Sequence, residues 1–187
     1  VPGEQEALEG GSVSQSVTRD KEAFAGRTVG MVGGGDAGFE GAVELAKRGW
    51  HVHMLLRSAD FRARPAFVDE ARAHANVTMS AIPTVVERIE PLDDPRGCRV
   101  YVDVDGKRDT LEVACLFVRI GVEPTYPTLE PTPATDERHL VVDRRQKTSL
   151  EGLWAAGDVT DTQLPAVATA VGDGARAAHA VASHLAY

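Results

Sequence analysis

Cysteine is scarce in this sequence, and the scarcity excludes a good deal. Only Cys98 and Cys115 are present, and they form no C-x-x-C, so neither a zinc ribbon nor a local dithiol is encoded. Each lies in a run that reads as a strand; two reduced core thiols are expected, with a structural disulfide as the alternative. No cluster of His and Cys accompanies either residue, which argues against a metal site. The histidines are scattered as well, and His179 and His184, five apart on a helix, miss the i, i+4 spacing of a metal face. Positive charge is also in short supply: 20 Lys and Arg against 28 Asp and Glu leave a net charge of -8. That excludes nucleic acid or an anionic membrane as the main partner, because both require a basic face. No apolar run approaches the ~20 residues of a membrane span. The opening Val1-Pro2-Gly3-Glu4 lacks the basic-then-apolar pattern of a signal peptide, so a cytoplasmic location is expected. The chain does not open on Met, as expected of a fragment, a processed product or a partial chain.

What is there is an ordinary globular composition, 43% apolar and 26% charged, in a chain long enough for one good core or two small ones. Residues 1 to 20, rich in Gly, Ser, Glu and Gln, read as an extended lead-in. The hydrophobic pattern then alternates between strand and helix. Thr28 to Val32 reads as a buried strand, 37 to 48 as a helix with Phe39, Ala42, Val43 and Ala46 on one face, and His51 to Leu56 as a second strand. Gly49 ends the helix. A helix over 66 to 75 and a strand over 77 to 80 follow. Residues 85 to 89, 99 to 104 and 110 to 113 predict antiparallel strands, with Asp105-Gly106 as a hairpin turn. Leu116 to Ile120 is a further strand. Beyond it, Pro124, Pro127, Pro131 and Pro133 mark a loop-rich linker. Short strands are expected at 140 to 142 and 152 to 155, a turn at Gly157-Asp158, and a last helix over 166 to 185.

The central signal is Gly33-Gly34-Gly35-Asp36-Ala37-Gly38. A G-x-G-x-x-G alone is weak, but this one follows a strand, opens an amphipathic helix and lies in a β-α-β unit, the context that makes it a dinucleotide fingerprint. Gly33 permits the tight turn, Gly35 lets backbone N–H groups approach the pyrophosphate, and Gly38 lets helix and strand pack closely. The helix N-terminus adds partial positive charge for the phosphates. At the end of the next strand, where an NAD site carries Asp or Glu, the chain has Arg57, with Arg62 and Arg64 nearby. A guanidinium attracts a 2′-phosphate where a carboxylate repels it, so NADP(H) is favoured over NAD. A solvated basic loop is the alternative.

These motifs resemble the low-molecular-weight thioredoxin reductases and their relatives. The resemblance rests on Gly33-Gly34-Gly35-Asp36 with Glu40, on Arg57 with Phe61-Arg62-Ala63, and on Phe117-Val118-Arg119-Ile120-Gly121 with Pro124. It extends to the run from Thr148 to Val159, which includes Gly157-Asp158, and to the opening Pro2-Gly3-Glu4. It implies an α/β fold: a Rossmann-like NAD(P)-binding domain, with a parallel sheet and an antiparallel β-meander, plus the C-terminal part of a split FAD-binding domain. The expected boundaries are 1–20 for the lead-in, 21–118 for the NADP(H) domain and 119–187 for the FAD-domain segment. By the same resemblance Glu40 sits near the nicotinamide and Arg57 and Arg62 hold the 2′-phosphate. Ala37, Ile120 and Gly121 belong to the nucleotide site. Gly157 and Asp158 take the flavin ribityl chain, and Thr169 and Ala170 approach the isoalloxazine.

Four departures limit what carries over. The family's redox C-x-x-C falls where this chain has Ser16-Val17-Thr18-Arg19, and neither a hydroxyl nor a guanidinium can replace an attacking or a resolving thiol. Ser58 stands in place of the second of two adjacent arginines. Pro165-Ala166 replace Arg-Gln beside the flavin. The family's first FAD segment, with its own glycine fingerprint, has no counterpart in this sequence. The expected activity is hydride transfer from NADPH to FAD and on to an unidentified acceptor, such as a ferredoxin-like redox protein, in a homodimer. A redox-inactive NADP(H) sensor or structural module is the alternative.

Overall fold

The computed structural model describes residues 1–23, 26–93, 97–160 and 164–186. It divides into two compact units, Val1–Gly121 and Val122–Tyr187. The first unit contains α1 (Glu4–Glu9), β1 (Val13–Ser14), α2 (Val17–Asp20), β2 (Thr28–Val32), α3 (Asp36–Lys47) and β3 (His51–Leu55). It continues through α4 (Pro65–Ala73), β4 (Val77–Met79), β5 (Thr84–Leu92), β6 (Gly97–Val104), β7 (Lys107–Val113) and β8 (Leu116–Val118). The second holds β9 (Thr135–Asp136), β10 (His139–Leu140) and α5 (Val167–Leu185).

In the first unit five parallel strands form a sheet in the order β1-β8-β2-β3-β4. Parallel strands are usually covered on both faces, and two apolar clusters do that here. On one face Val29, Met31, Val52, Met54 and Phe117 pack with Phe39, Ala42, Val43 and Ala46 of α3 and with Val68 and Ala71 of α4. On the other, Leu55 and Leu116 pack with Ala7 of α1 and with Ile89, Cys98, Val100 and Val113 of the three-stranded antiparallel meander β5-β6-β7. Helix α3 thus buries the i, i+3, i+4, i+7 stripe that its sequence displays. Gly49, at φ 83°, closes it, and Trp50 is buried immediately afterwards, 6.5 Å from Phe117.

Residues 1–20 are not the extended lead-in that composition suggests. Gly3 adopts φ 81° and lies so close to the meander that a Cβ there would stand 1.8 Å from the Ile89 carbonyl oxygen. The Ile89 N–H donates to Pro2 O at 2.9 Å. Helix α1 then buries Ala7, and β1 pairs with β8 through Val13 and Leu116. A six-residue helix and a two-residue strand are too short to show a period, so tertiary packing alone defines them.

Both thiols are reduced and buried. Burial pushes Cys98 up to about 11 and Cys115 up to about 12. At pH 8 the thiolate fraction of such groups is on the order of one in a thousand or less. Neither thiol is therefore expected to react with iodoacetamide in the native chain, and both are expected to react in urea; mass spectrometry reads the difference.

The second unit is held by polar contacts more than by apolar ones. Leu140 and Pro133 are its buried apolar side chains among the described residues, while Val122, Leu164, Val167 and Val171 are exposed. The strand expected at 152 to 155 is reduced to a single bridge between Lys147 and Trp154. The reason is local: Gln146 (φ 63°) and Gly152 (φ 76°) turn the chain too tightly for a ladder. Asp173, on the inner face of α5, is 4% exposed and accepts from Arg176. Gln146, beside it, donates to Asp173 Oδ1 at 3.4 Å; with its amide turned over, it would donate to Ala155 O at 2.9 Å and accept from Arg176 at 3.2 Å. Replacing Asp173 with Ala removes a buried charge-assisted bond and is expected to destabilise this unit by about 1–3 kcal/mol. Faster amide hydrogen exchange along α5 would register the loss.

Candidate functional site

The glycine turn lies at the carboxyl ends of the parallel strands, between β2 and α3. Its three fingerprint glycines differ in what confines them. Gly33 sits at φ 137°, and a Cβ there would come within 2.2 Å of the Arg119 carbonyl oxygen, where β8 leaves the sheet. At Gly38 a Cβ would meet the Gly33 carbonyl oxygen at 2.3 Å. Both positions are therefore required by the fold itself. Gly35 is different: its backbone is extended (φ -98°, ψ 177°), and a Cβ there would meet nothing within 4 Å. Gly34 faces Phe61, with 3.5 Å between a Cβ and that ring. Ala37 is exposed one residue into α3, and Asp36 provides the carboxylate of its first turn.

Beyond β3, Arg57 and Arg62 are exposed and engage in no ion pair among the described residues. Arg64, expected to join them, is committed elsewhere: its backbone N–H donates to Asp36 Oδ1 at 2.7 Å and its Nε to Asp36 Oδ2 at 2.8 Å. The loop is also anchored by Phe61, whose ring meets Phe39 edge-on at 5.1 Å.

A cleft beside α3 brings Glu40 together with Ser16, Thr18, Glu44 and Arg119. Arg119, which the sequence offers only as part of the Phe117 to Gly121 motif, donates from its guanidinium to the Gln15 carbonyl, while its buried Nε has no hydrogen-bond partner among the described residues. Ser16 caps α2, accepting from the Arg19 N–H at 3.3 Å, and Arg19 pairs with Asp20 at 2.8 Å. That guanidinium holds the Asp20 carboxyl below the usual range, with help from the Ser14 hydroxyl at 2.5 Å. Ile120 and Gly121 stand exposed beyond β8, Gly121 at φ 111°.

In the second unit Gly157 lies against α5, where its Cβ would be 3.3 Å from that of Ala170. The turn is closed by Thr160, whose N–H and hydroxyl donate to Gly157 O at 2.9 and 2.8 Å. Asp158 is left exposed. Thr169 and Ala170 are half-buried in the first turn of α5, whose cap residue Ala166 offers no side-chain bond.

The sequence profile of the family described as pyridine nucleotide-disulphide oxidoreductase matches residues 1–174. This chain belongs to that family. Its members are NAD(P)H-dependent FAD oxidoreductases, and the thioredoxin reductase-like branch uses FAD and NADPH. The chain is 35% identical over 179 residues to the thioredoxin reductase of Mycolicibacterium smegmatis, covering 95% of this chain and 57% of that one. With the bifunctional thioredoxin reductase/thioredoxin of Mycobacterium leprae it shares 33% identity over 180 residues, covering 95% of this chain and 39% of the relative. The crystal structure of Lactococcus lactis thioredoxin reductase superposes with a TM-score of 0.85 at 25% identity, over 98% of this chain and 60% of that one. The chain thus spans roughly two-fifths to three-fifths of the relatives it matches. Among the described residues no helix is long and apolar enough to cross a membrane.

Proposed function

We propose that this chain carries the NADP(H)-binding domain and the C-terminal segment of a split FAD-binding domain in an NADPH-dependent flavin oxidoreductase that works without a C-x-x-C relay. The observation that carries the reading is the contrast among the glycines. Gly33 and Gly38 are demanded by backbone packing, whereas Gly35 has open space where its side chain would be. A glycine that the fold does not need, at the N-terminus of a helix after a parallel strand, fits a position kept bare for a pyrophosphate. Arg57 and Arg62, without an ion pair among the described residues, supply positive charge on the next strand's exit, as a 2′-phosphate needs.

The second unit supports the FAD part of the reading. It has almost no apolar core of its own and exposes Val167 and Val171 on α5, as half of a divided domain would. The turn at Gly157 leaves the Asp158 carboxylate exposed and available to a ribityl hydroxyl. When bound, the nicotinamide would supply a hydride to the flavin; Glu40 would lie near the nicotinamide, and the glycine turn and the arginines would hold the dinucleotide. Ser16 and Arg19 spend their polar groups on capping α2 and on Asp20, which supports an exit for electrons other than a dithiol. A ferredoxin-like redox protein as acceptor, a homodimer and a cytoplasmic location complete the reading.

Titration calorimetry with NADP⁺ and NAD⁺, followed by NADPH oxidation with an artificial acceptor and added FAD, tests it. Preferential NADP⁺ binding and acceptor reduction are expected; absence of dinucleotide binding would overturn it. Pro165-Ala166 ahead of an α5 without a capping side chain favours a second reading, a redox-inactive NADP(H) sensor. Tight NADP(H) binding with no acceptor reduction, even with FAD supplied and the protein complete, would select it.

A further inference from the structure

The loop after β3 is fastened to the glycine turn, and we propose that this fastening, an Asp36–Arg64 latch, gives the site its selectivity for a 2′-phosphate by holding Arg57 and Arg62 in position. The inference rests on the NADP(H) reading of the site. A carboxylate in the first turn of a phosphate-binding helix repels the anion that the helix receives, so on electrostatics alone Asp36 weakens the site.

The structure gives that carboxylate another task. Both of its oxygens are engaged by Arg64, one by the backbone N–H at 2.7 Å and one by Nε at 2.8 Å. The Arg64 guanidinium lies 4.3 Å from the centre of the Phe67 ring, which fixes its direction from the other side. Arg64 is also the residue from which α4 starts, with Pro65 in the first helical position. The segment from Arg57 to Arg64 is therefore held at three places: the end of β3, Phe61 against Phe39, and Arg64 on Asp36. Between the last two, Ala63 is buried, so Arg62 is directed outward. Asp36 and Arg64 are positioning residues. They order the loop before the ligand arrives, and a loop ordered in advance binds without the entropic cost of immobilisation.

The ion pair is largely exposed, the two side chains being 68% and 42% accessible. Such pairs add little to folding, so removing this one leaves the fold intact and isolates its effect on binding. Asp36→Ala separates the two accounts by sign. If Asp36 acts only through charge, losing it tightens both NADP⁺ and NAD⁺. If the latch orders the arginines, NADP⁺ affinity falls about tenfold while NAD⁺ affinity is unchanged or improved. Arg64→Ala, which keeps the backbone bond, is expected to fall in between, and adding it to Asp36→Ala should cost nothing further.

The measurement is calorimetric titration of the full chain and these variants with NADP⁺ and NAD⁺, with thermal melts to verify folding. Tighter or unaltered NADP⁺ binding in Asp36→Ala overturns the latch. An unaltered chain with no preference for NADP⁺ overturns instead the reading on which the latch rests, and the latch with it.

Discussion

Gly35→Val is expected to abolish dinucleotide binding and leave the melting temperature almost unchanged, whereas Gly38→Ala should do damage of the opposite kind. The distinction follows from what each missing Cβ would touch. At position 35 the backbone is extended, a conformation valine adopts freely, and no described residue beyond its chain neighbours lies within 4 Å of the added atom. Valine branches would occupy the volume that a pyrophosphate needs and would keep it from the α3 amides. Hydrogen bonds to a charged group are worth about 1.5–3 kcal/mol each, so losing two raises Kd by roughly a hundredfold or more. At position 38 the Cβ lands 2.3 Å from the Gly33 carbonyl oxygen, a backbone atom that cannot swing aside. Helix and turn must separate, at a cost of about 1–3 kcal/mol or more. Thermal melts and NADP⁺ titrations of both variants check the pair. A Gly35→Val chain that still binds NADP⁺ tightly would show that the bare position serves no ligand.

The same glycines show what could be read in the sequence and what could not. The β-α-β unit was legible because α3 buries a full stripe, from Phe39 to Ala46, because β2 leads straight into Gly33, and because Gly49 separates α3 from the Val52, Met54 and Leu55 of β3. The meander was legible from Asp105-Gly106, which takes φ 50° and 79° at the turn. Elements without a period were not. Helix α1 and strand β1 depend on contacts to Ile89 and β8, from the distant part of the chain, and no local pattern announces such contacts. The second unit was read less well for a related reason: its short bridges are fixed by turns at Gln146 and Gly152 and by the Asp173 cluster, not by hydrophobic alternation. Within the site, the resemblance singled out Arg57 and Arg62, but nothing in the sequence gave the partner of Arg64. Only the fold shows that Arg64 belongs to Asp36. Arg119 was visible as part of the Phe117 to Gly121 motif, but its contact with Gln15 was not, because the two lie at opposite ends of the first unit's sequence.

Arg57→Glu should reverse the nucleotide preference. The wild-type side chain is exposed at the exit of β3 and has no acidic partner among the described residues, so its charge is free to meet a 2′-phosphate. Replacing it removes a charge-assisted bond of about 1.5–3 kcal/mol and adds a like charge, whose repulsion at 4 Å costs about 1–4 kcal/mol between bulk water and a protein surface. Together these raise the Kd for NADP⁺ by roughly a hundredfold to a hundred-thousandfold. NAD⁺ should bind as before or better, since a carboxylate at this position can accept from both ribose hydroxyls. Ser58→Arg should act in the other direction, restoring an adjacent guanidinium at the cost of the single bond that Ser58 accepts from the Asp60 N–H at 3.1 Å. Titrations at low and at 1 M salt supply the internal control. With the Debye length near 3 Å at about 1 M, the repulsive part of the Arg57→Glu effect should shrink while the loss of the direct bond persists. If NADP⁺ and NAD⁺ instead weaken in step and without salt dependence, Arg57 shapes the loop and does not read the phosphate.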